Sequence, residues 1–154
     1  MFGFFKKKKE PEISIYHEDI GKLTHGGPGE AWYGKYMSSI FGETAEIDLT
    51  VYPDFDDDDK ITPETEEAFR YYCQHRDDIN DKIERELRNE YNLDDTFVMS
   101  SRFKPCALIL LVEGYCGLAF RDFDEPEGWS TAEIVVEIFP EVKYFGDLVG
   151  YYGR

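Results

Sequence analysis

The sequence predicts an α+β domain: an antiparallel β-sheet formed by both ends of the chain, with a central helix or helix pair packed on one face. Segments near both ends alternate between polar and apolar residues, which is typical of strands that bury one face. The middle, from Thr62 to Tyr91, has apolar residues at spacings of three, four and seven, which is typical of a helix with one buried stripe. Strands that precede and follow a helical middle indicate an α+β fold.

The length and composition predict one folded domain with a short tail. The chain has 154 residues, of which 42% are apolar and 16% aromatic, so it can bury a core without disulfides or metals. We expect a flexible Phe/Lys-rich tail over residues 1–11 and a single domain over residues 12–154. The tail resembles a membrane-surface anchor, but one such patch without an acyl chain binds weakly, so no stable membrane association is expected. No segment has the pattern of a signal peptide or a bilayer span, which predicts a cytoplasmic protein.

The first half of the predicted sheet consists of short strands separated by turns. The predicted strands are Glu12 to His17, Gly21 to Thr24, Ala31 to Met37 and Ala45 to Val51. The last of these is the clearest, because its apolar residues Ala45, Ile47, Leu49 and Val51 point one way, while Glu46, Asp48 and Thr50 between them point the other. An acidic loop, Asp54 to Asp59, follows it.

The helical region begins with a capping pattern. Thr62 can accept a hydrogen bond from the first turn, Pro63 fits the first helical position, and Glu64 faces the positive end of the helix dipole. A break near Asp77 and Asp78, either of which would cap a second helix, is compatible with the same pattern. The sequence therefore leaves one helix or two open.

The second half returns to strand patterns. The predicted strands are Ala107 to Val112, Tyr115 to Arg121, Thr131 to Phe139 and Val142 to Phe145. A tight turn at Glu113-Gly114 would place Cys116 opposite Leu111 rather than Cys106, which argues against a disulfide. We expect all three cysteines to be reduced and to be buried or half-buried.

The charge is concentrated in one stretch, Asp54 to Asp95, which holds sixteen Asp and Glu against six Lys and Arg in a chain of net charge −16. Such a field repels nucleic acid and attracts basic partners. The plain alternative is that the acidity only keeps the domain soluble.

No residue pattern indicates catalysis. His17, His25 and His75 have neither metal-site nor triad spacing, and each is expected to be a surface or turn side chain. The loop at residues 54–59 offers oxygen ligands for Ca²⁺ or Mg²⁺ but lacks the spacing of an EF-hand. We therefore predict a non-enzymatic protein without catalytic residues, metal or cofactor. A divalent-metal-binding or enzymatic domain that uses loop 54–59 is the alternative.

The order of these signals resembles a family of small uncharacterised bacterial domains. The segments that carry the resemblance are Ile20-Gly21-Lys22-Leu23-Thr24, Trp32-Tyr33-Gly34, Phe41-Gly42, Ile61-Thr62-Pro63-Glu64 and Gly117-Leu118-Ala119-Phe120. Members usually have Glu-His-Gly near the last turn, where this chain has Glu125-Pro126-Glu127-Gly128 without a histidine. The resemblance implies a fold without an established activity, and related small domains are held to be immunity proteins for bacterial toxins.

These observations together predict an acidic protein-binding domain, such as an immunity or inhibitor protein, whose partner is a basic protein, for example a toxin. Carboxylates would steer the partner and exposed aromatic residues would anchor it. The predicted binding residues are Asp56, Asp57, Asp58, Asp59, Asp77, Asp78, Tyr71, Trp32 and Trp129.

Overall fold

The structure is a computed structural model that describes residues 14–25, 29–124 and 132–153. Its eight strands form one sheet in chain order. They are β1 (Ser14–His17), β2 (Gly21–His25), β3 (Trp32–Ile40), β4 (Glu43–Val51), β5 (Phe103–Leu110), β6 (Cys116–Asp122), β7 (Ala132–Phe139) and β8 (Lys143–Asp147). The fold is α+β, as the alternating and helical patterns predict. The predicted tail at residues 1–11 lies outside the described residues.

The sheet is mixed, so the prediction of a wholly antiparallel sheet is wrong at one place. Neighbouring strands are antiparallel except β4 and β5, which are parallel. The two helices lie between these strands in the chain and return it to the same end of the sheet. A crossover connection of this kind makes the flanking strands parallel.

The helical region contains two helices, α1 (Pro63–Gln74) and α2 (Arg76–Glu90). The cap at Thr62 is confirmed, because its hydroxyl oxygen accepts a hydrogen bond from the backbone N–H of Thr65 at 3.2 Å. A single residue, His75, separates the helices, and its side chain makes no capping hydrogen bond. Asp77 and Asp78 lie in the first turn of α2, so neither is the cap. No helix in the described ranges is long and apolar enough to cross a bilayer.

A buried hydrogen-bond chain fixes the corner between the two helices. The Tyr72 hydroxyl donates to Asn80 Oδ1 at 2.8 Å, and the Asn80 amide donates to the backbone carbonyl of Ser39 at 2.8 Å. Tyr72 is in α1, Asn80 in α2 and Ser39 in β3. The corner is therefore tied to the sheet, which explains why the region bends here instead of continuing as one helix.

Both helices pack on one face of the sheet, where the main core lies. The predicted stripe packs there, except that its last member, Tyr91, lies just after α2 and is only half-buried. The helical members of this core are Ala68, Phe69, Tyr72, Ile79, Ile83 and Leu87, and the sheet contributes Leu49, Leu108, Leu110, Leu118, Phe120 and Val136 among others. Burial of large side chains of this kind contributes roughly 1.5–3 kcal/mol each before opposing terms.

A short third helix, α3 (Leu148–Tyr151), covers part of the opposite face. Leu148 and Tyr151 pack with Ile109, Ala119 and Val135 in a second, smaller core. Ile109, Ala119 and Val135 belong to β5, β6 and β7, respectively. In the described part of the chain, no helix covers the same face of β1 to β4.

The turn between β5 and β6 shifts the predicted pairing by one residue. Cys116 is opposite Leu110 rather than Leu111. Leu111 belongs to the turn, where its N–H donates to the carbonyl of Tyr115 and its carbonyl accepts from the N–H of Gly114. All three cysteines are free, and Cys106 is half-buried and Cys116 buried. Cys73 is exposed, so its predicted burial is wrong. It follows Tyr72 on α1 and falls outside the buried stripe of that helix.

Candidate acidic binding site

The acidic loop, residues 54–60, is closed by its own backbone. The N–H of Asp54 donates to the carbonyl of Lys60 at 2.8 Å, and the N–H of Asp57 donates to the carbonyl of Asp54 at 3.1 Å. The N–H of Asp56 donates to the Asp54 carboxylate at 2.9 Å. Asp58 and Asp59 have φ values of 54° and 56°, in a left-handed region that Asp adopts more readily than most residues. The loop therefore holds a defined shape.

Two aromatic rings support the loop from beneath. Trp32 Nε1 donates to the backbone carbonyl of Asp59 at 2.9 Å. The ring of His25 lies 4.7 Å from that of Trp32. Its Nε2 is 3.1 Å from the Asp59 carboxylate, although the two groups are not aligned for a hydrogen bond. Asp59 is therefore held through its backbone carbonyl, and its side chain lies beside the His25 ring.

A second histidine joins the turn after β1 to the start of α1. His17 Nε2 lies 2.7 Å from a carboxylate oxygen of Glu66. Beside this pair, the guanidinium of Arg70 lies 3.1 Å from the Asp19 carboxylate. The His17 and Glu66 side chains are 16% and 29% exposed, so water screens this contact only in part.

His17, Asp19 and Glu66 form a group that could hold a metal ion, since their ligand atoms lie within 4.8 Å of one another. Within the described part of the chain, this is the group of that kind. The hydrogen bonds of His17 oppose this function. Its Nδ1 accepts from the backbone N–H groups of Asp19 at 3.1 Å and Ile20 at 3.3 Å, so in the neutral ring the proton is on Nε2. A protonated nitrogen cannot ligate a metal. The group therefore fits a hydrogen-bond network better than a metal centre.

The acidic loop does not fit the metal alternative either. Among the described residues, its carboxylates do not converge into a group that could surround an ion. Asp56, Asp57 and Asp58 instead point into solvent, and Asp54 accepts from the backbone of its own loop. Ca²⁺ requires six to eight oxygen ligands around one point, and this arrangement does not supply them.

A cleft of about 430 Å³ lies between the loop, β1 and α1. Its lining residues are His17, Trp32, Asp58, Asp59, Lys60, Ile61 and Glu66. Three carboxylates therefore face a wall that contains an indole ring and an aliphatic side chain. This combination suits a cationic side chain with an apolar stem better than it suits an anion. No Ser, Thr or Cys is among the lining residues that the structure describes.

The carboxylates around the cleft are only partly neutralised. Lys60 lies 3.6 Å from Asp57, and both side chains are more than 60% exposed, so this pair contributes little. Within the part of the chain that the structure describes, Asp56 and Asp58 have no ion-pair partner, and neither do Glu64 and Glu67 at the start of α1. The negative charge predicted from composition is thus exposed at this end of the domain.

The structure divides the predicted binding residues among several places. Asp56, Asp57 and Asp58 are exposed together, and Asp59 is half-buried beside them. Asp77 and Asp78 are exposed in the first turn of α2, next to the end of α1 that is far from the loop. Since α1 has 12 residues, it is about 18 Å long. They belong to a different surface from the loop.

The predicted aromatic anchors differ in the same way. Tyr71 is 39% exposed, but its ring also packs against His75 and Phe139. Trp32 is only 6% exposed, because its ring packs against the acidic loop, and it reaches the adjoining cleft as one of its lining residues. Its role as an anchor stays a prediction. Trp129 lies outside the described residues, as do Glu125 and Glu127.

Two residues of the site were not predicted from the sequence. His17 and His25 were expected at the surface or in a turn, yet each is placed against a carboxylate from a distant segment. Their spacing in the sequence carries no signal of this. Only the pairing of β1, β2 and β3, together with the return of the chain through the acidic loop, brings them to Glu66 and Asp59.

No protein-family model, curated protein or solved structure matches the chain. The resemblance to a family of small bacterial domains therefore stays a prediction, and the function is argued from the residues of the site alone.

Proposed function

We propose that this domain is a non-catalytic binding module that recognises a basic protein, as an immunity or inhibitor protein would, through its acidic loop and the adjoining cleft. One observation carries the proposal: three adjacent exposed carboxylates, Asp56 to Asp58, stand on a loop whose backbone is held by hydrogen bonds. A binding loop that is already ordered loses less conformational entropy when a partner binds.

The surrounding charge supports the same proposal. Glu64 and Glu67 extend the acidic surface along the first turns of α1, and both are exposed. Complementary charge raises the association rate of two proteins above the neutral range of about 10⁵–10⁶ M⁻¹s⁻¹. The cleft beside the loop gives a basic side chain a defined place, with Asp58 and Glu66 for its charge and Ile61 for its stem.

The experiment that tests this function compares two triple variants in their association with the basic protein that the domain retains from lysate of its source. Neutralising the loop in Asp56→Asn, Asp57→Asn and Asp58→Asn should lower the association rate at least tenfold at low salt and flatten its dependence on salt. The charge pairs that steer the encounter are removed, and steering is the part that salt screens. The rate is measured by stopped-flow fluorescence.

The matched control neutralises Asp77, Asp78 and Asp81, which are exposed at the start of α2. It changes the net charge by the same amount at the other end of α1 and should leave most of the association rate intact. Equal losses in both variants would show that only total charge matters. An unchanged rate in the loop variant would rule out the loop as the binding surface.

A further inference from the structure

The cleft beside the acidic loop contains a carboxylate whose charge is poorly matched. The Asp59 side chain is 27% exposed, and His25, whose side chain is 7% exposed, places its Nε2 3.1 Å from that carboxylate. Within the described residues, this Nε2 has no hydrogen-bond partner, and Asp59 accepts the Trp32 hydrogen bond through its backbone carbonyl instead. The ammonium group of Lys60 lies beside Asp57, at 3.6 Å. A carboxylate partly withdrawn from water without a donor is unfavourable, so this end of the cleft favours a bound cation.

Strand β1 begins close to this cleft. Ser14 pairs with Thr24, and Thr24 pairs with Tyr33, so Ser14 lies two strand spacings, about 10 Å, from Tyr33. Trp32, the neighbour of Tyr33, lines the cleft. Because β1 and β4 run in opposite directions, the start of β1 lies at the same end of the sheet as the end of β4, which leads into the acidic loop. Residues that precede Ser14 therefore enter the sheet at the end that carries this loop.

Four consecutive lysines precede β1 at residues 6–9, and we call them the basic segment. They lie outside the described residues. Lys9 is five positions before Ser14, and five residues span at most about 17 Å when fully extended. A chain of five residues without regular structure has a root-mean-square length of roughly 12 Å. The cleft, which begins about 10 Å from Ser14, is therefore within reach of the basic segment.

The cleft and the basic segment are complementary in charge and in shape. Asp58, Asp59 and Glu66 line the cleft together with the side chain of Ile61. A lysine matches this lining, because its ammonium group is attracted to the carboxylates while its aliphatic stem packs on an apolar wall. A segment tethered at this distance has an effective concentration in the millimolar range. Even a weak contact would then be occupied in most molecules.

We propose that the basic segment binds in this cleft of its own chain, with its ammonium groups at Asp58, Asp59 and Glu66. The contact supplies the cation that the Asp59 carboxylate favours. It also makes the basic segment a competitor of any basic protein for the same site. This competition rests on the proposed function, whereas the contact itself does not.

The competition sets a threshold of affinity for the partner. If the segment binds with a Kd of about 0.1 mM at an effective concentration of about 1 mM, the cleft is open in about one molecule in ten. The apparent affinity of a basic protein for the cleft falls by the same factor. Basic proteins that bind weakly are thereby excluded, while a partner with strong additional contacts displaces the segment.

Carbodiimide crosslinking of the full chain at low protein concentration tests the contact, because it joins an ammonium group to a carboxylate only where the two meet. Peptide mass mapping should find the basic segment joined to Asp58, Asp59 or Glu66. Glu67 is the internal control, since it follows Glu66 on α1 and is more exposed but is not among the described lining residues. The yield at Glu66 should exceed that at Glu67 by about fivefold or more and should fall at high salt, which screens the attraction.

A peptide with the sequence of residues 1–11 tests whether the cleft is already occupied. Neutralising the segment in the full chain with Lys6→Gln, Lys7→Gln, Lys8→Gln and Lys9→Gln frees the cleft. The labelled peptide should therefore bind this variant about ten times more tightly than it binds the wild type, as measured by fluorescence anisotropy.

The matched control makes the same change of net charge at four exposed lysines elsewhere, with Lys22→Gln, Lys35→Gln, Lys82→Gln and Lys104→Gln. It should leave the peptide Kd within about twofold of the wild-type value, because the basic segment still fills the cleft. Crosslinks as abundant at Glu67 as at Glu66 would overturn the proposal. So would equal peptide affinities for the wild type and the variant with a neutralised segment. Neither measurement involves the basic partner, so failure here is distinct from failure of the proposed function.

Discussion

At the scale of the residue, the environment of each side chain decides its chemistry. The three cysteines show this clearly. Cys116 is fully buried, and burial raises the pKa of its thiol strongly. Burial also raises the pKa of the half-buried Cys106 thiol to about 11. Partial burial raises the pKa of Cys73 as well, although this residue is exposed.

We therefore predict an order of thiol alkylation in the native protein at pH 8: Cys73 first, Cys106 slowly and Cys116 only after unfolding. Since the pKa of Cys106 is about 11, only about one thiol in a thousand is ionised at pH 8. Its rate should rise about tenfold for each pH unit below that pKa. Peptide mass mapping after timed iodoacetamide treatment measures the order.

Labelling in urea is the control, because all three sites should then react at similar rates. Early native labelling of Cys116 would contradict the burial on which the order depends.

The local sequence around Trp32 does not decide whether its side chain is exposed or buried. Its sequence context, an aromatic residue in a strand, is equally compatible with an exposed anchor and a buried core residue. In the structure the indole donates to the backbone carbonyl of Asp59, and the side chain is largely buried against the acidic loop. Because the two residues are 27 positions apart, no local pattern around either of them contains that contact.

At the scale of the element, local signals were most informative where a helix begins. Thr62 and Pro63 specify the start of α1 by hydrogen bonding and by fixed φ, both of which act over a few residues. The separation of α1 from α2 was left open because one helix and two helices have the same apolar spacing. The chain of hydrogen bonds from Tyr72 through Asn80 to Ser39 fixes that corner.

The cap gives a prediction at this scale. Thr62→Ala should lower the free energy of unfolding by about 1–2 kcal/mol. It removes the acceptor for the N–H of Thr65 and the donor that reaches the carbonyl of Val112 at 2.8 Å. Urea denaturation monitored by circular dichroism measures the change.

Thr62→Ser is the matched control, because serine keeps the hydroxyl and should retain most of the stability. If serine destabilises the domain as much as alanine does, the methyl group rather than the hydrogen bonds is responsible.

At the scale of the whole molecule, the balance of charge dominates. The chain has 33 acidic against 17 basic residues, so the folded state is destabilised by its own repulsion. The acidic loop contributes to this most directly, because Asp56, Asp57 and Asp58 are adjacent and exposed. Carrying such a loop is therefore a cost to stability that a binding function would explain.

This balance predicts a dependence of stability on salt. Raising the ionic strength from 0.01 to 0.15 M shortens the Debye length from about 30 to about 8 Å, and the melting temperature should rise by several degrees. Scanning calorimetry measures the shift. The triple variant Asp56→Asn, Asp57→Asn and Asp58→Asn should melt higher than the wild type at low salt and respond less to added salt.

Sodium chloride and potassium chloride at equal ionic strength should act alike, which separates screening from ion binding. A melting temperature that does not depend on salt would contradict self-repulsion as a significant term.

The α+β class, the core face of β4, the start of α1 and the concentration of negative charge could all be predicted from the sequence. Each depends on residues within a few positions of one another, where periodicity and capping act. Three other features could be found only in the folded chain. These are the parallel pairing of β4 with β5, the position of His25 and Trp32 against the acidic loop, and the distance of Asp77 and Asp78 from that loop. These contacts join distant segments, such as His17 and Glu66, which are 49 positions apart. Such contacts arise from the packing of helices and sheet together, which no short stretch of the chain encodes alone.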